Sequence, residues 1–494
     1  MKKIFLIVGC LSLFFISCKK DITRTLENPQ FLEPSDNYEF INAEKKQQLI
    51  DLAVTGNYIL SDEDVSTNLI SFLKTKEETS SRSVISNTYN ISEIDTAKIY
   101  LPSSKLSTQR SAMGDEYDEV KFYLYGVSNN ESSEQGYAIL TNDRRIGEII
   151  CFVDNSEFNQ DISDSPFMQM FCSNLEDYVE ETAEIWNSIK NNELQESRSA
   201  YAEIASSGNY SFSNWVYNSG NISSLTKTDW NQSRPYNSGI VAIKGQNYLT
   251  GCGATAIAQI LAFHEFPKET TTTIRESLNK NWETAKSWNG KYDWKLMKEN
   301  SQANYLSTDG KMMVGSLMYQ VAEGIKSKYG TSSTSSYSSN YSTFLKSVGY
   351  SVGTEQSYSF ETIKKSIDNN CPLIITGASK KITKRNKFLW WTWETTSGYD
   401  GGHAFIVDGY CNMKCTATNN TNKSDVQTFT TNYVHCNLGW GGSSDGYYID
   451  NVLAAGKGPI ANDSTINSIK RSVYGEDFYY QYCLRIIPNI KPKN

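Results

Sequence analysis

The stretch Gly251-Cys252-Gly253-Ala254-Thr255-Ala256-Ile257-Ala258-Gln259-Ile260-Leu261-Ala262-Phe263-His264 decides the architecture. Its Ala- and Ile-rich body carries apolar residues at helical spacing (Ile257, Ile260, Leu261), and Pro267 ends it. A buried helix beginning at Cys252 is expected. The positive end of a helix dipole favours thiolate over thiol, so a cysteine at that point is expected to be nucleophilic. Gly251 and Gly253 on either side leave room for a substrate backbone. A cysteine that merely fills a core needs neither feature.

A thiolate that transfers acyl groups needs a base, a group that orients the base, and donors for the oxyanion. The chain has three histidines, none before residue 264, so the search is short. His264 ends the same helix, about 18 Å from Cys252 at 1.5 Å per residue, and is expected to be structural. His403 follows Gly401-Gly402 and opens a strand whose alternation puts His403, Phe405 and Val407 on one face. On the strand ending at Asn437, Tyr433, His435 and Asn437 share a face. The Asn437 amide is the candidate for fixing the imidazole tautomer, with His435 packed beneath. Gln232, twenty residues before the cysteine, is a candidate oxyanion donor beside the Cys252 backbone N–H.

Four motifs stand in order along this half: Trp230-Asn231-Gln232-Ser233-Arg234-Pro235-Tyr236-Asn237, the cysteine stretch, Gly401-Gly402-His403-Ala404-Phe405-Ile406-Val407-Asp408-Gly409-Tyr410, and His435-Cys436-Asn437-Leu438-Gly439-Trp440-Gly441-Gly442. Together they resemble the streptopain family of papain-like cysteine peptidases. Gly136-Tyr137-Ala138-Ile139-Leu140-Thr141-Asn142-Asp143-Arg144-Arg145 is similar to that family's propeptide. The resemblance implies an α+β, papain-like fold, in which a helical lobe carries the cysteine and an antiparallel sheet lobe carries the histidine, preceded by an α+β propeptide domain. It implies an endopeptidase made as a zymogen, without a cofactor, acting on protein or peptide substrates and held by its own propeptide as intramolecular inhibitor. Carried over by motif, Cys252 is the nucleophile, His403 the base, Gln232 an oxyanion donor, Asn437 the orienting group and Trp440 the shield over that contact. One departure is visible: the family has Trp where this chain has Leu438.

At 494 residues, the chain suits two to four folded units of roughly 150 residues each. With 39% hydrophobic and 21% charged residues it is globular, and a net charge of −8 argues against a dedicated nucleic-acid binder. Its one long apolar run, Ile4 to Ile16 after two lysines, is shorter than the roughly 20 residues a membrane span needs. That excludes a multi-span transporter. Residues 1–17 read as a secretory signal peptide. Phe15-Ile16-Ser17-Cys18 resembles the lipobox of bacterial lipoproteins, which implies a lipidated Cys18 anchoring an exported protein to the outer membrane or cell surface. Residues 18–40 read as a polar tether and 41–190 as the propeptide domain. Helix-like Glu44–Val54 and Met168–Ile189 are expected there, with strand-like Tyr117–Val127 and Gly136–Val153 turning at Asn142-Asp143. The Asn-, Ser-, Gly- and Tyr-rich residues 191–225 read as an exposed connector that carries the activating cut, and 226–494 as the peptidase domain.

Some features admit two readings. Cys411, Cys415 and Cys436 invite a disulfide in an exported protein, and with His435 a zinc site, although neighbouring strand residues point to opposite faces. In Lys380–Trp393, five positive charges precede three tryptophans. This is either a hairpin or flap beside the cleft, or a solvated basic turn. Two other functions use the same groups: an inactive binding or inhibitory module on this scaffold, or an amidase or transglutaminase.

Overall fold

The computed structural model describes residues 41–80, 89–102, 117–129, 135–153, 156–159, 165–190, 210–221, 224–299, 306–378, 380–388, 391–400, 403–455 and 482–493. The expected signal, Cys18 and tether lie outside these residues. The chain begins with helices α1 (Ala43–Thr55) and α2 (Asp62–Ser80). Asn42 caps α1 by accepting the Lys45 N–H, and Gly56 ends it in the left-handed region that glycine tolerates. Four antiparallel strands follow, β1 (Tyr89–Pro102), β2 (Tyr117–Asn129), β3 (Gln135–Thr141) and β4 (Ile149–Val153). Helix α3 (Pro166–Lys190) completes this part.

The C-terminal half has a helical side, with α4 (Ser238–Lys244), α5 (Cys252–His264) and α6 (Thr308–Gly324). Its sheet is built from β7 (Leu373–Ala378), β10 (His403–Asn419), β11 (Val426–Asn437), β12 (Gly446–Ile449) and β13 (Tyr482–Ile487). The two halves share one hydrogen-bonded sheet, in the order β1-β2-β3-β4-β12-β11-β10-β7-β13, ending on a short strand Gln356–Ser357. The junction is the ladder Val153–Gly446, Phe152–Tyr447 and Cys151–Tyr448. At Gly446 a Cβ would lie 2.3 Å from the Phe152 carbonyl, so the close approach requires glycine.

Alternation along β10 sorts its side chains between two cores. Phe405 and Val407 join a core that also holds Tyr137, Phe152, Phe167 and Trp186, whereas Ala404 and Ile406 join the helical core with Ile257, Ile260 and Leu317. Phe167, at the start of α3, packs edge-on against Phe405 (5.2 Å) and Tyr448 (4.8 Å). The N-terminal half thus buries a ring two residues from His403.

The connector expected from sequence is more structured than an exposed linker. Within it, β5 (Tyr210–Phe212) and β6 (Val216–Asn221) pair with β10, with Phe212 opposite Ala417 and Gly220 opposite Cys411; residues 191–209 lie outside the described set. Arg144, in the turn after β3, covers the Phe212 ring at 3.9 Å. The Lys380–Trp393 segment falls in a two-stranded hairpin, β8 (Lys380–Phe388) and β9 (Trp391–Asp400), whose side chains lie outside the described set. Cys411, Cys415 and Cys436 form no disulfide. The register sets them opposite Tyr433, Phe429 and Val407, so no two of them are cross-strand neighbours.

Candidate active site

Helix α5 begins at Cys252, and from Gly253 to Ala262 each of its residues is buried. Gly251 has φ +89, and a Cβ there would meet Thr334 at 2.9 Å; a Cβ on Gly253 would collide with the Tyr341 hydroxyl. Both glycines are needed for the turn that presents the thiol. The Thr250 N–H donates to the Gln232 carbonyl (3.0 Å), which places Gln232 beside the same turn.

His403 opens β10 and is 8% exposed. Its Nε2 lies 3.2 Å from the carbonyl oxygen of Leu438. A carbonyl only accepts, so Nε2 carries the proton and Nδ1 is left as the basic nitrogen. The next residue along, Ala404, donates its N–H to Cys252 Sγ at 3.4 Å. Thiol and imidazole thus stand on adjoining elements, though no hydrogen bond joins them among the described residues. The Trp440 ring lies over the imidazole, 4.6 Å between centroids and 31° from parallel, as a shield would.

Asn437 does not touch His403. Its Oδ1 accepts from Gln259 Nε2 (2.9 Å) and from the Gly439 N–H (3.1 Å), and its Nδ2 donates to the Thr228 carbonyl (2.9 Å). The expected direct orienting contact is therefore replaced by the Leu438 carbonyl. This also accounts for leucine at 438: its side chain is fully buried in the sheet core, and only its backbone meets the histidine.

His435 is paired with Asp408. Its Nδ1 sits 2.6 Å from Asp408 Oδ1, and its ring packs on Tyr447. Asp408 occupies a register shift between Val407 and Gly409, and it also accepts from the backbone N–H and hydroxyl of Thr226. His264 Nε2 donates to the Ile490 carbonyl at 2.9 Å, a structural role as expected. Among the described residues no cluster of metal-ligating side chains forms.

Burial sets the charge state of the pair. It pushes the Cys252 thiol above its ordinary value, against the N–H groups of Ala404, Gly253 and Cys252 itself. Burial also pushes His403 down to about 4, with the Leu438 carbonyl opposing. Burial thus works against a charged pair, in the direction opposite to the helix-dipole effect expected at Cys252.

A pH dependence follows. A histidine held at about 4 instead of 6.5 resists protonation when folded. Its contribution to stability is complete above pH 6.5 and is lost as pH falls through 4, on the order of 3 kcal/mol in all. Urea midpoints of the full chain at pH 7, 5 and 4 should fall more steeply than those of His403→Gln. Parallel slopes would show that this group does not carry the effect.

A half-buried thiol at a helix N-terminus, a histidine with its Nδ1 left free on the facing sheet, and an indole over the imidazole define a papain-like cysteine peptidase. Residues 230–448 match the model of the peptidase C10 family, and this part of the chain is streptopain-like. Streptopains from Streptococcus pyogenes, including that of serotype M28 strain MGAS6180 and that of serotype M1, are 27% identical over 388 residues, 74% of this chain and 82% of theirs. Among solved structures, a fragment of Prevotella intermedia prointerpain A carrying a cysteine-to-alanine mutation gives a TM-score of 0.44 at 18% identity, over 81% of this chain and all of that one. Active interpain A cysteine protease from the same organism gives 0.32 at 21% identity, over 56% and 95%. The protein is a cysteine endopeptidase with a zymogen form.

Two contributors escape a reading of the sequence. The Leu438 carbonyl is a backbone group with no residue-type signature. Gln259 is visible in the cysteine motif, where a buried amide amid alanine and isoleucine is the available signal.

Proposed function

We propose that the chain is exported, anchored through lipidated Cys18, and matures by cutting itself within residues 191–225. Cys252 attacks the peptide carbonyl while His403 Nδ1 takes the thiol proton. The tetrahedral oxyanion is met by the Cys252 backbone N–H and the Gln232 side-chain amide. Collapse gives a thioester as His403 protonates the leaving amine; water, activated by the same nitrogen, then releases the acid. Trp440 keeps water from the Nε2–carbonyl bond. The observation that carries this reading is the Nε2–H bond to Leu438, which leaves the basic nitrogen available on the residue next to the one that touches Sγ.

The test is to incubate the purified full chain and follow its size and casein cleavage together. Both should change in step, and an epoxide thiol label should enter Cys252 as they do. A chain that stays intact and cleaves nothing, even after an added protease has cut within 191–225, overturns the reading. The anchor is checked separately: radiolabelled palmitate should enter the wild type and not Cys18→Ser, and equal labelling of both would remove Cys18 from the account.

A further inference from the structure

Gln259 lies seven residues, about two turns, beyond Cys252 on α5 and is fully buried. A buried amide must find partners, and this one joins the segment Thr228–Trp230 to the end of β11. Its Oε1 accepts from the Thr228 hydroxyl (3.1 Å), the Trp230 N–H (3.2 Å) and Asn437 Nδ2 (3.3 Å). Its Nε2 donates to Asn437 Oδ1 (2.9 Å). Asn437 Oδ1 in turn accepts the Gly439 N–H, which belongs to the same peptide group as the Leu438 carbonyl on His403 Nε2.

We propose that Gln259 is a positioning residue for the general base, acting through a relay from its own amide to Asn437, then to the peptide group joining Leu438 and Gly439, and so to His403. The relay performs remotely what a direct asparagine–histidine contact would do. It fixes the carbonyl in place, holds the proton on Nε2 and leaves Nδ1 for the thiol. A peptide whose N–H already donates has a more strongly polarised carbonyl, so the bond to an imidazolium is strengthened at the moment it forms. Two further features fix the backbone on either side of that peptide group. The Leu438 N–H donates to Asp445 Oδ1 (2.7 Å). Gly439 has φ +70, and a Cβ there would meet Thr255 Cγ2 at 2.9 Å, on the nucleophile's own helix. Because Gln259 rides on α5, nucleophile and base are set from one rigid element.

The inference rests on His403 as the base, and its test separates the two ideas. In the full chain carrying Cys252→Ala, which cannot process itself, ¹⁵N-histidine labelling gives only three imidazoles to assign. His403 should be in the Nε2–H tautomer alone; adding Gln259→Leu should give a mixture of tautomers. In chains that retain Cys252, Gln259→Leu should lower kcat roughly 10- to 100-fold with KM within about twofold, as for a base that is misoriented rather than removed. The double variant with Asn437→Ala should be no worse than the poorer single variant. Should Gln259→Leu fail to fold, Gln259→Glu serves. Its neutral form can offer an O–H to Asn437 Oδ1 and its ionised form cannot, so activity should fall at a lower pH than in the wild type. An unchanged tautomer and kcat in the variants, or a loss of melting temperature alone, overturns the relay. A wild type that never cleaves peptide sinks the catalytic reading instead, and the tautomer still reports on the relay.

Discussion

Cys252→Ala should leave the full-length chain uncut and reduce peptide hydrolysis roughly 10⁴-fold or more, the scale seen when a covalent nucleophile is removed. The fold should survive. The substitution removes one sulfur whose hydrogen bond is a 3.4 Å contact from the Ala404 N–H, and the flanking glycines keep the turn. Circular dichroism unchanged beside a size that does not shift over time is the expected pair of results. Processing at the wild-type rate would mean that another protease makes the cut. Casein hydrolysis by the purified variant would mean that the nucleophile is elsewhere.

The second large effect concerns stability. In the turn after β3, Asp143 and Arg145 are almost wholly buried. Arg145 Nε bonds both carboxylate oxygens (2.9 and 3.0 Å) and its terminal nitrogen adds a third bond at 2.6 Å. The guanidinium also lies over Tyr58 (4.5 Å) and near Trp186 (5.3 Å), so the pair joins the turn to α3 and to the segment after α1. Removing one member of a buried ion pair strands the other charge, at about 3–5 kcal/mol. Asp143→Ala should therefore destabilise the full chain by that amount, read from the shift of its urea midpoint. Arg145→Met, which also strands a charge, should destabilise it comparably, and Asp143→Ala with Arg145→Met together should cost less than the two losses added. Additive losses would show that the pair does not act as a unit.

How far the sequence foretells this depends on the distance over which each feature is decided. Helix α5 is legible because its apolar spacing, its opening glycine and Pro267 are all local. So are α1, α3 and the strands around Asn142-Asp143, which follow the expected spans to within a few residues. Pairing between Cys151 and Tyr448 is not, since nothing in either segment names a partner almost 300 residues away. Alternation alone misplaces Asn437 for a related reason: the shift at Asp408 breaks the strict register between β10 and β11. The state of the thiol is equally hidden, because dipole and burial oppose each other and burial comes from parts of the chain remote in sequence.

The shared sheet has a further meaning for the order of events after synthesis. The cut proposed within 191–225 would break a covalent link without touching the ladder at Val153–Gly446 or the ring of Phe167 against Phe405. Before the cut the N-terminal piece is held at the effective concentration of a tethered partner; after it, the piece is an ordinary ligand whose occupancy obeys mass action. On that proposal nicking and unmasking would be separate steps, the second governed by dilution and by whatever consumes the released piece.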